Sequence, residues 1–463
     1  MPEQVIDHFN DFLKKSLLQN ASYNKKAARF IYPIQISEVN NASKNIFFRP
    51  EIQFLWKKPS ESLFFHSLGR INSEKVFGFN QLIFSKETFN CLKVEIVTSE
   101  QLCTSGKLPF FCGNAQFAPF SNNPLWNDYS NIDWYMPKLT LFSDGNEAFL
   151  IYNFSLSTPE NEILEEFIQF STIFLPAGQN KKNKKTALLN RLDLDETVWK
   201  NLVDNALNEI RKKSFHKVVL SRIAECTFEG KFDLDLLSEI SGKYPECITF
   251  LNKNNNSIFF GVTPERLLKF SNGFIETESL AGSIKRSDSL EEDAHLSEQL
   301  LTSNKNLLEQ QLVTDYIMTV LDKYTEDISF NGEPELVKLE NIQHLKTKIK
   351  GKLKKDKFFF DLVNELQPTP AVCGFPKKEA FDFILQNEGY DRGLYCGITG
   401  WFNLDEEGEF AVAIRSALIK EQKLYAFTGC GIVEGSDAKS EYEETEIKLK
   451  PIFSIFEYEN RNK

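Results

Sequence analysis

The sequence predicts an α+β chain rich in antiparallel strands, and three stretches carry that expectation. Between Arg29 and about residue 175, short apolar runs alternate with Asn, Ser, Pro and Gly, the pattern of strands joined by turns. Glu196 to about Lys213 sets Val198, Leu202, Ala206 and Ile210 on one helical face and leads into the apolar strand Lys217-Val218-Val219-Leu220-Ser221-Arg222. Leu290 to about Tyr324 is the longest helical pattern, with Leu296, Leu300, Leu307, Leu308, Val313, Ile317 and Leu321 supporting an apolar stripe. A chain of 463 residues, 41% of them hydrophobic, can bury a large core. With 42 Phe against 3 Met, aromatic packing should dominate it.

Composition also excludes. A formal net charge of −11 argues against nucleic acid as a partner, because phosphate binding needs a dense Lys/Arg surface. An acidic protein that binds an anion must therefore concentrate its positive charge locally. The start, Met1 to Phe9, has neither a basic nor an apolar leader pattern, and no apolar run reaches the length of a membrane span. A cytoplasmic protein without a membrane partner is expected. Cys91, Cys103, Cys112, Cys226, Cys247, Cys373, Cys396 and Cys430 form no C-x-x-C pair, so reduced thiols in or near the core are expected, without structural zinc or disulfides.

In chain order, residues 1 to about 30 read as a helix through Val5, Phe9, Phe12, Leu13 and Leu17. Strands follow at Phe30-Tyr32, Ile52-Trp56, Val76-Phe79, Leu139-Phe142 and Ala148-Tyr152, with no catalytic constellation among them. Gln179 to Thr186 is polar and basic and reads as an exposed connection. Lys217 stands at the margin of an apolar strand, where a lysine ordinarily snorkels to solvent, although a buried one can serve as a base. Strand Ser257-Val262 ends at Thr263-Pro264-Glu265-Arg266-Leu267, leaving a carboxylate just past a sheet edge, ordinarily an ion-pair partner. Glu276 to Ser283 is a small-residue loop suited to close backbone contact with a ligand. Glu309, beside the apolar stripe of the long helix, needs a partner, which a metal would supply. Lys346 to Lys355 reads as a solvated lysine-rich turn, and Leu366 to Pro376 as a rigid loop. In the strand Phe410-Ile419, alternation puts Arg415 above Ala411 and Ala413, with room to hold a carboxylate in its planar fork.

The most informative stretch is Gly429-Cys430-Gly431-Ile432-Val433-Glu434-Gly435-Ser436-Asp437 and the helix after it, which Ser436 or Asp437 can cap. Glu441, Glu444 and Lys448 fall at i, i+3 and i+7, so one face presents two carboxylates and an ammonium. Carboxylates suit a hard cation such as Mg²⁺, and the lysine suits an anion beside it. Such spacing also makes an ordinary solvated face. The glycine run is one residue too long for a dinucleotide fingerprint and lacks its βαβ context.

Together, Lys217-Val-Val-Leu-Ser-Arg222, Pro264-Glu-Arg-Leu267, Leu280-Ala-Gly-Ser283, Pro368-Thr-Pro-Ala-Val-Cys-Gly-Phe-Pro376, Ile414-Arg-Ser-Ala417 and Gly429-Cys-Gly-Ile-Val433 with Glu441-Tyr-Glu-Glu-Thr445 resemble the chorismate-utilising enzymes. The likeness covers about 195 to 455 and is weak over 1 to about 190. It implies an α+β fold of two large antiparallel sheets, packed with helices around a central cleft as a single globular unit. Residues 1–190 would complete that fold and 191–456 would form the chorismate-binding catalytic region. The implied substrate is the dianion chorismate and the implied cofactor Mg²⁺, in a monomer or weak dimer.

Carried over by position, Lys217 matches the base that activates water for attack at ring C2, and Glu265 the acid that protonates the departing C4 hydroxyl. Glu309 and Glu444 match direct Mg²⁺ ligands, with Glu441 acting through water. Arg415, Lys448 and the backbone at Gly282, Ala371 and Gly429 match substrate contacts, and His344 and Tyr395 fall at pocket positions. Members that use ammonia carry glutamine where Lys217 stands, and aminodeoxychorismate synthases carry lysine where Ala281 stands. The resemblance therefore implies the water branch, an isomerase forming isochorismate for a menaquinone or catechol siderophore pathway. Salicylate synthases share the lysine and the acid but go on to expel pyruvate; an anthranilate synthase-like enzyme and a non-catalytic chorismate-binding module are the further alternatives. Ser283 replaces a commoner threonine and Cys430 a usual alanine, which leaves fine specificity open.

Overall fold

Strand pairing gathers the apolar runs into two large sheets. The computed structural model describes residues 2–23, 25–47, 49–72, 86–99, 108–118, 123–174, 187–230 and 232–458. Among them, 14 strands form the first sheet and nine the second. The first runs from 187–192 through 217–229, 423–433, 416–420, 257–263, 248–254, 53–58, 63–68, 139–143 and 148–155 to 27–33. Its neighbours are antiparallel except for two edge pairs, 27–33 with 96–98 and 187–192 with 457–458. The second runs 325–330, 342–353, 274–285, 266–271, 408–412, 398–402, 111–115, 132–135. This is the expected α+β architecture of two sheets with helices packed on them. N-terminal strands are continuous with the rest: Leu55 stands in register with Leu251.

Phenylalanine fills the space between layers. Phe65 of the first sheet meets Trp401 of the second edge to face at 5.9 Å. Phe359, on the helix Phe359–Leu366, stacks on Phe270 at 4.0 Å and reaches Phe402 and Phe410. On the far side of the first sheet, Phe9 of the helix Pro2–Tyr23 stacks on Phe167 of the helix Glu160–Ser171 at 3.9 Å. Each such ring contributes about 1.5–3 kcal/mol of burial, so the aromatic bias of the composition is spent on holding layers together.

Two neighbouring segments pass from one sheet to the other, side by side. Strand Ser257–Thr263 of the first sheet continues past Pro264 and Glu265 as Arg266–Ser271 of the second. Gly408–Val412 of the second continues through 413–415 as Ser416–Lys420 of the first. Val262 N donates to Arg415 O and Val412 N to Glu265 O, both at 3.0 Å. The single strand expected over Phe410–Ile419 is therefore broken. Arg415 adopts a left-handed φ of 50°, so strand alternation does not set its direction.

Other expectations are corrected as well. The N-terminal helix stops at Tyr23, and a strand begins at Ala27. The long helix is two, Leu290–Thr302 and Asn304–Tyr324, because the Ser303 side chain accepts from Asn306 N and starts a new helix. Glu276–Ser283 is no loop but lies in the strand Phe274–Lys285, paired with Ile342–Leu353. That partner contains most of the supposed lysine turn: Leu345, Thr347 and Ile349 face inward, while Lys346, Lys348, Lys350 and Lys352 pair with Glu278, Glu335, Glu276 and Glu326. Cysteines are free thiols among the described residues, all buried but Cys91. Val76-Phe79, Gln179-Thr186 and Cys103 lie outside the described residues. No helix among those described is long and apolar enough to cross a membrane.

A buried ion pair ties the elements beneath the cleft. Arg392 donates to Glu388 and, at 2.7 Å each, to the carbonyls of Val219 and Val372; Glu388 accepts from Ser221 N at 2.7 Å and Ser221 Oγ at 2.9 Å. Glu388→Ala should cost about 3–5 kcal/mol in denaturant unfolding, because it strands a buried guanidinium, whereas replacing both residues by apolar ones of similar size should cost far less.

Candidate active site

The cleft forms where the two sheet crossings meet the pair of strands Lys217–Glu229 and Lys423–Val433. Its wall includes Glu265, Gly282, Glu309, His344, Ala371, Tyr395, Arg415, Gly429 and Lys448, nine of the twelve residues singled out from the sequence. Lys217, Glu441 and Glu444 are not among its lining residues.

Lys217 opens its strand and is 0% exposed, so it does not snorkel. Its Nζ lies 2.9 Å from Glu309 Oε1, at an angle that leaves the ammonium without a satisfied hydrogen bond. Glu309 projects from the helix Asn304–Tyr324 toward Gly431, where a side chain would collide: a Cβ there would sit 2.5 Å from Glu309 Oε1 and 3.0 Å from Lys217 Cε. The glycine stretch 429–431 is thus part of a strand rather than a loop, and its missing side chain makes room for the Lys217–Glu309 pair. Burial pushes the Glu309 carboxyl upward, but Lys217, Lys448 and Lys305 outweigh it and hold the group below the ordinary range.

Asp437 caps the helix Ala438–Phe453 by accepting from Ser440 N at 2.9 Å, which aims Glu441, Glu444 and Lys448 at the cleft. Glu441 is buried and held by Lys305 at 2.5 Å. Glu444 pairs with Lys448 at 2.6 Å, and Lys448 Nζ also donates to Gly429 O at 3.1 Å. Burial and the neighbouring Glu444 raise the Glu441 carboxyl despite Lys305. Lys305 is itself raised, since Glu441, Glu444 and Glu309 together overcome its burial. Of the three acids, Glu441 is the one in contact with Lys305. Among the described residues no three acid, His or Cys side chains stand close enough together to grip a cation directly.

Glu265 sits at the first crossing, buried, its backbone N donating to Thr263 Oγ1 at 3.1 Å and its Oε1 accepting from Thr369 at 3.4 Å. Burial, then the charge of Glu278, push its pKa up to about 7 against the pull of Lys217, Thr369 and Arg415. Arg415, at the second crossing, donates to His344 Nε2 at 3.0 Å. An arginine only donates, so Nε2 accepts and the ring proton sits on Nδ1, which faces Ser283 Oγ at 2.9 Å and Gly282 O at 3.3 Å. Gly282 has a φ of 72° at a bulge in its strand, which turns its carbonyl toward the histidine. Burial, Arg415 and Lys448 hold His344 well below the usual histidine range, so the ring is neutral. Tyr395 stacks on Phe427 at 5.3 Å.

Lys305, Thr369 and Glu278 were not singled out from the sequence. Lys305 and Glu309 share a helix face at i, i+4, a signal that spacing offers; the contact with Glu441, 136 residues away, has no local trace.

A family model described as "Chorismate binding enzyme" matches residues 14–457. "Isochorismate synthase MenF" of Bacillus subtilis is 34% identical over 421 residues, 88% of each chain. "Salicylate biosynthesis isochorismate synthase" of Pseudomonas aeruginosa is 31% identical over 347 residues, 74% of this chain and 73% of the relative. Among solved structures, that of MenF, the menaquinone-specific isochorismate synthase from Escherichia coli, superposes with a TM-score of 0.75 at 24% identity, covering 96% of this chain and 98% of that one, a likeness of fold.

The glycine that admits Glu309 gives a direct test of this packing. Gly431→Ala should destabilise by about 1–3 kcal/mol in denaturant unfolding, the usual cost of overpacking. Gly242→Ala, where a Cβ meets nothing within 4 Å, should show no loss.

Proposed function

Because the chain belongs to the chorismate-binding enzyme family, we propose that it is an isochorismate synthase, adding water at C2 of the chorismate ring as the C4 hydroxyl is lost. The observation that carries this reading is a buried lysine beside Glu309 of the cleft wall and, in that wall, a glutamic acid whose pKa is pushed up to about 7, one matched to removing a proton from water and the other to delivering one. Relatives that bear the isochorismate synthase name cover most of the chain and support it.

The charges suit a dianion. Arg415 and Lys448 line the cleft and can receive carboxylates, with the fork of Arg415 held by neutral His344. In the forward step the Lys217 amine takes a proton from the water whose oxygen bonds to C2. The ring double bonds shift, and the C4 oxygen leaves as water with the proton of Glu265. One water enters and one departs, so the reaction is an isomerisation that needs no oxidant or co-substrate. Lysine ends protonated and glutamate ionised, and exchange with solvent resets both. A glutamine in place of Lys217 could not take that proton, and a lysine in place of Ala281 would add a second nucleophile; Lys217 and Ala281 favour water.

Mg²⁺ is the family's expected metal and carboxylates are its usual ligands; here Glu309, Glu441 and Glu444 each stand against a lysine, Lys217, Lys305 and Lys448, whose nitrogens take the places beside the carboxylates that a cation would take. These three residues would hold it, Glu441 through water. When bound, the cation would neutralise a substrate carboxylate that the glutamates otherwise repel. The product suits menaquinone or catechol siderophore formation.

Incubated with chorismate and Mg²⁺, the protein should yield isochorismate in an equilibrium mixture, and chelation should stop it. Salicylate and pyruvate in equal amounts as the main products would overturn the assignment. Lys217→Ala and Glu265→Gln should each lower kcat by about 10²–10⁴. Since Glu265 acts only when protonated, kcat of the native protein should fall as pH rises through about 7, and Glu265→Gln should lose that limb.

A further inference from the structure

Glu265 works as an acid only while it carries a proton, and the strand beside it supplies a second carboxylate that the reaction scheme does not use. Glu278 lies in the strand Phe274–Lys285 with its side chain buried. Its Oε1 accepts from the backbone N of Arg266, the residue bonded to Glu265, at 3.2 Å. Its Oε2 lies 2.5 Å from Lys346 Nζ on the neighbouring strand. The Arg266 guanidinium is committed elsewhere, to Glu409, Glu276 and Glu61. Glu278 is therefore fixed at both oxygens, with its charge one residue from the acid.

We propose that Glu278 is a positioning residue that keeps Glu265 loaded with its proton, and that the Glu278–Lys346 pair sets where the alkaline limb of turnover falls. The claim rests on Glu265 being the acid of the proposed reaction. Two like charges resist sharing a buried site, so a fixed carboxylate makes ionisation of its neighbour costlier. Burial is the first cause of the raised Glu265 carboxyl, and among the surrounding charged and titratable groups those other than Glu278 do not add to it. Lys217 from its strand and Arg415 from the second crossing both favour ionisation, as does the Thr369 hydroxyl from the proline-rich loop. The Cys396 thiol is pushed up to about 12 by burial, so it stays neutral. Glu278 is the charge that works the other way, and Lys346 tempers it: the cation is in turn partly exposed at the sheet surface.

The pair predicts opposite shifts. With Mg²⁺ and chorismate, Glu278→Gln should move the alkaline limb of kcat to lower pH by about one unit, because the repelling charge is gone while the amide oxygen can still accept from Arg266 N. Lys346→Gln should move the limb upward, because Glu278 then acts unopposed. A merely structural role would lower kcat or stability in both without separating the limbs. The Glu265 carbonyl stretch, identified by infrared difference against Glu265→Gln and titrated without substrate, should shift the same way in each variant. An unmoved limb and unmoved carbonyl titration in Glu278→Gln, or shifts of the same sign in both variants, would overturn the proposal. If the carbonyl titrations separate as expected but the native protein forms no isochorismate, the proposed activity fails and the Glu278–Glu265 coupling stands.

Discussion

Everything in the cleft depends on pairing buried acids with lysines. A carboxylate withdrawn from water without a partner is too costly to keep, and here Glu441 is buried with Glu309 and Glu444 partly so. Glu309 faces Lys217, Glu441 faces Lys305, and Glu444 faces Lys448. The six side chains come from one strand and two helices far apart in sequence, so the charges balance only in the assembled fold. A chain with a net charge of −11 thereby gains a pocket able to receive a dianion. Lys448 and Arg415 reach the wall, while Lys217, paired with Glu309, does not line it.

The two sheet crossings explain why the acid and the arginine are near each other at all. A strand within one sheet places its side chains on two faces; a strand that changes sheets places the residue at the break in the seam between them. Glu265 and Arg415 occupy the two breaks, linked by backbone hydrogen bonds from Val412 and Val262. The proline-rich loop closes the seam from a third side, donating to Glu265 through Thr369 and held to the lysine strand by Arg392. Phe65 of an N-terminal strand meets Trp401 of the second sheet edge to face, one contact between the layers.

How much of this could be read from the sequence depended on how local each signal was. Asp437 and the spacing of Glu441, Glu444 and Lys448 lie on one helix, and the helix is there as expected. Arg415 reaches the wall, but through a left-handed backbone that alternation could not foresee. Lysines at alternate positions from 346 to 352 masked a strand whose inward residues, Leu345, Thr347 and Ile349, alternate just as regularly. Ser303 is an ordinary capping residue inside an otherwise continuous apolar stripe, so the stripe hid the break. Lys305 and Glu278 went unnoticed because what gives them meaning, Glu441 and Glu265, lies on other elements.

The placement of His344 follows from the same electrostatics. Arg415 is buried and Lys448 partly so, and a third cation at His344 would be repelled by both. A neutral imidazole avoids that cost and still offers an acceptor, the one thing the arginine needs and cannot obtain from a lysine. Its remaining proton must then point away from Arg415, toward the Ser283 hydroxyl and the carbonyl that the bulge at Gly282 turns inward. A strand without that bulge would pair its carbonyl along the ladder and leave Nδ1 with the hydroxyl alone. The positive φ at Gly282 is thus coupled, through one ring, to the direction in which Arg415 presents its fork.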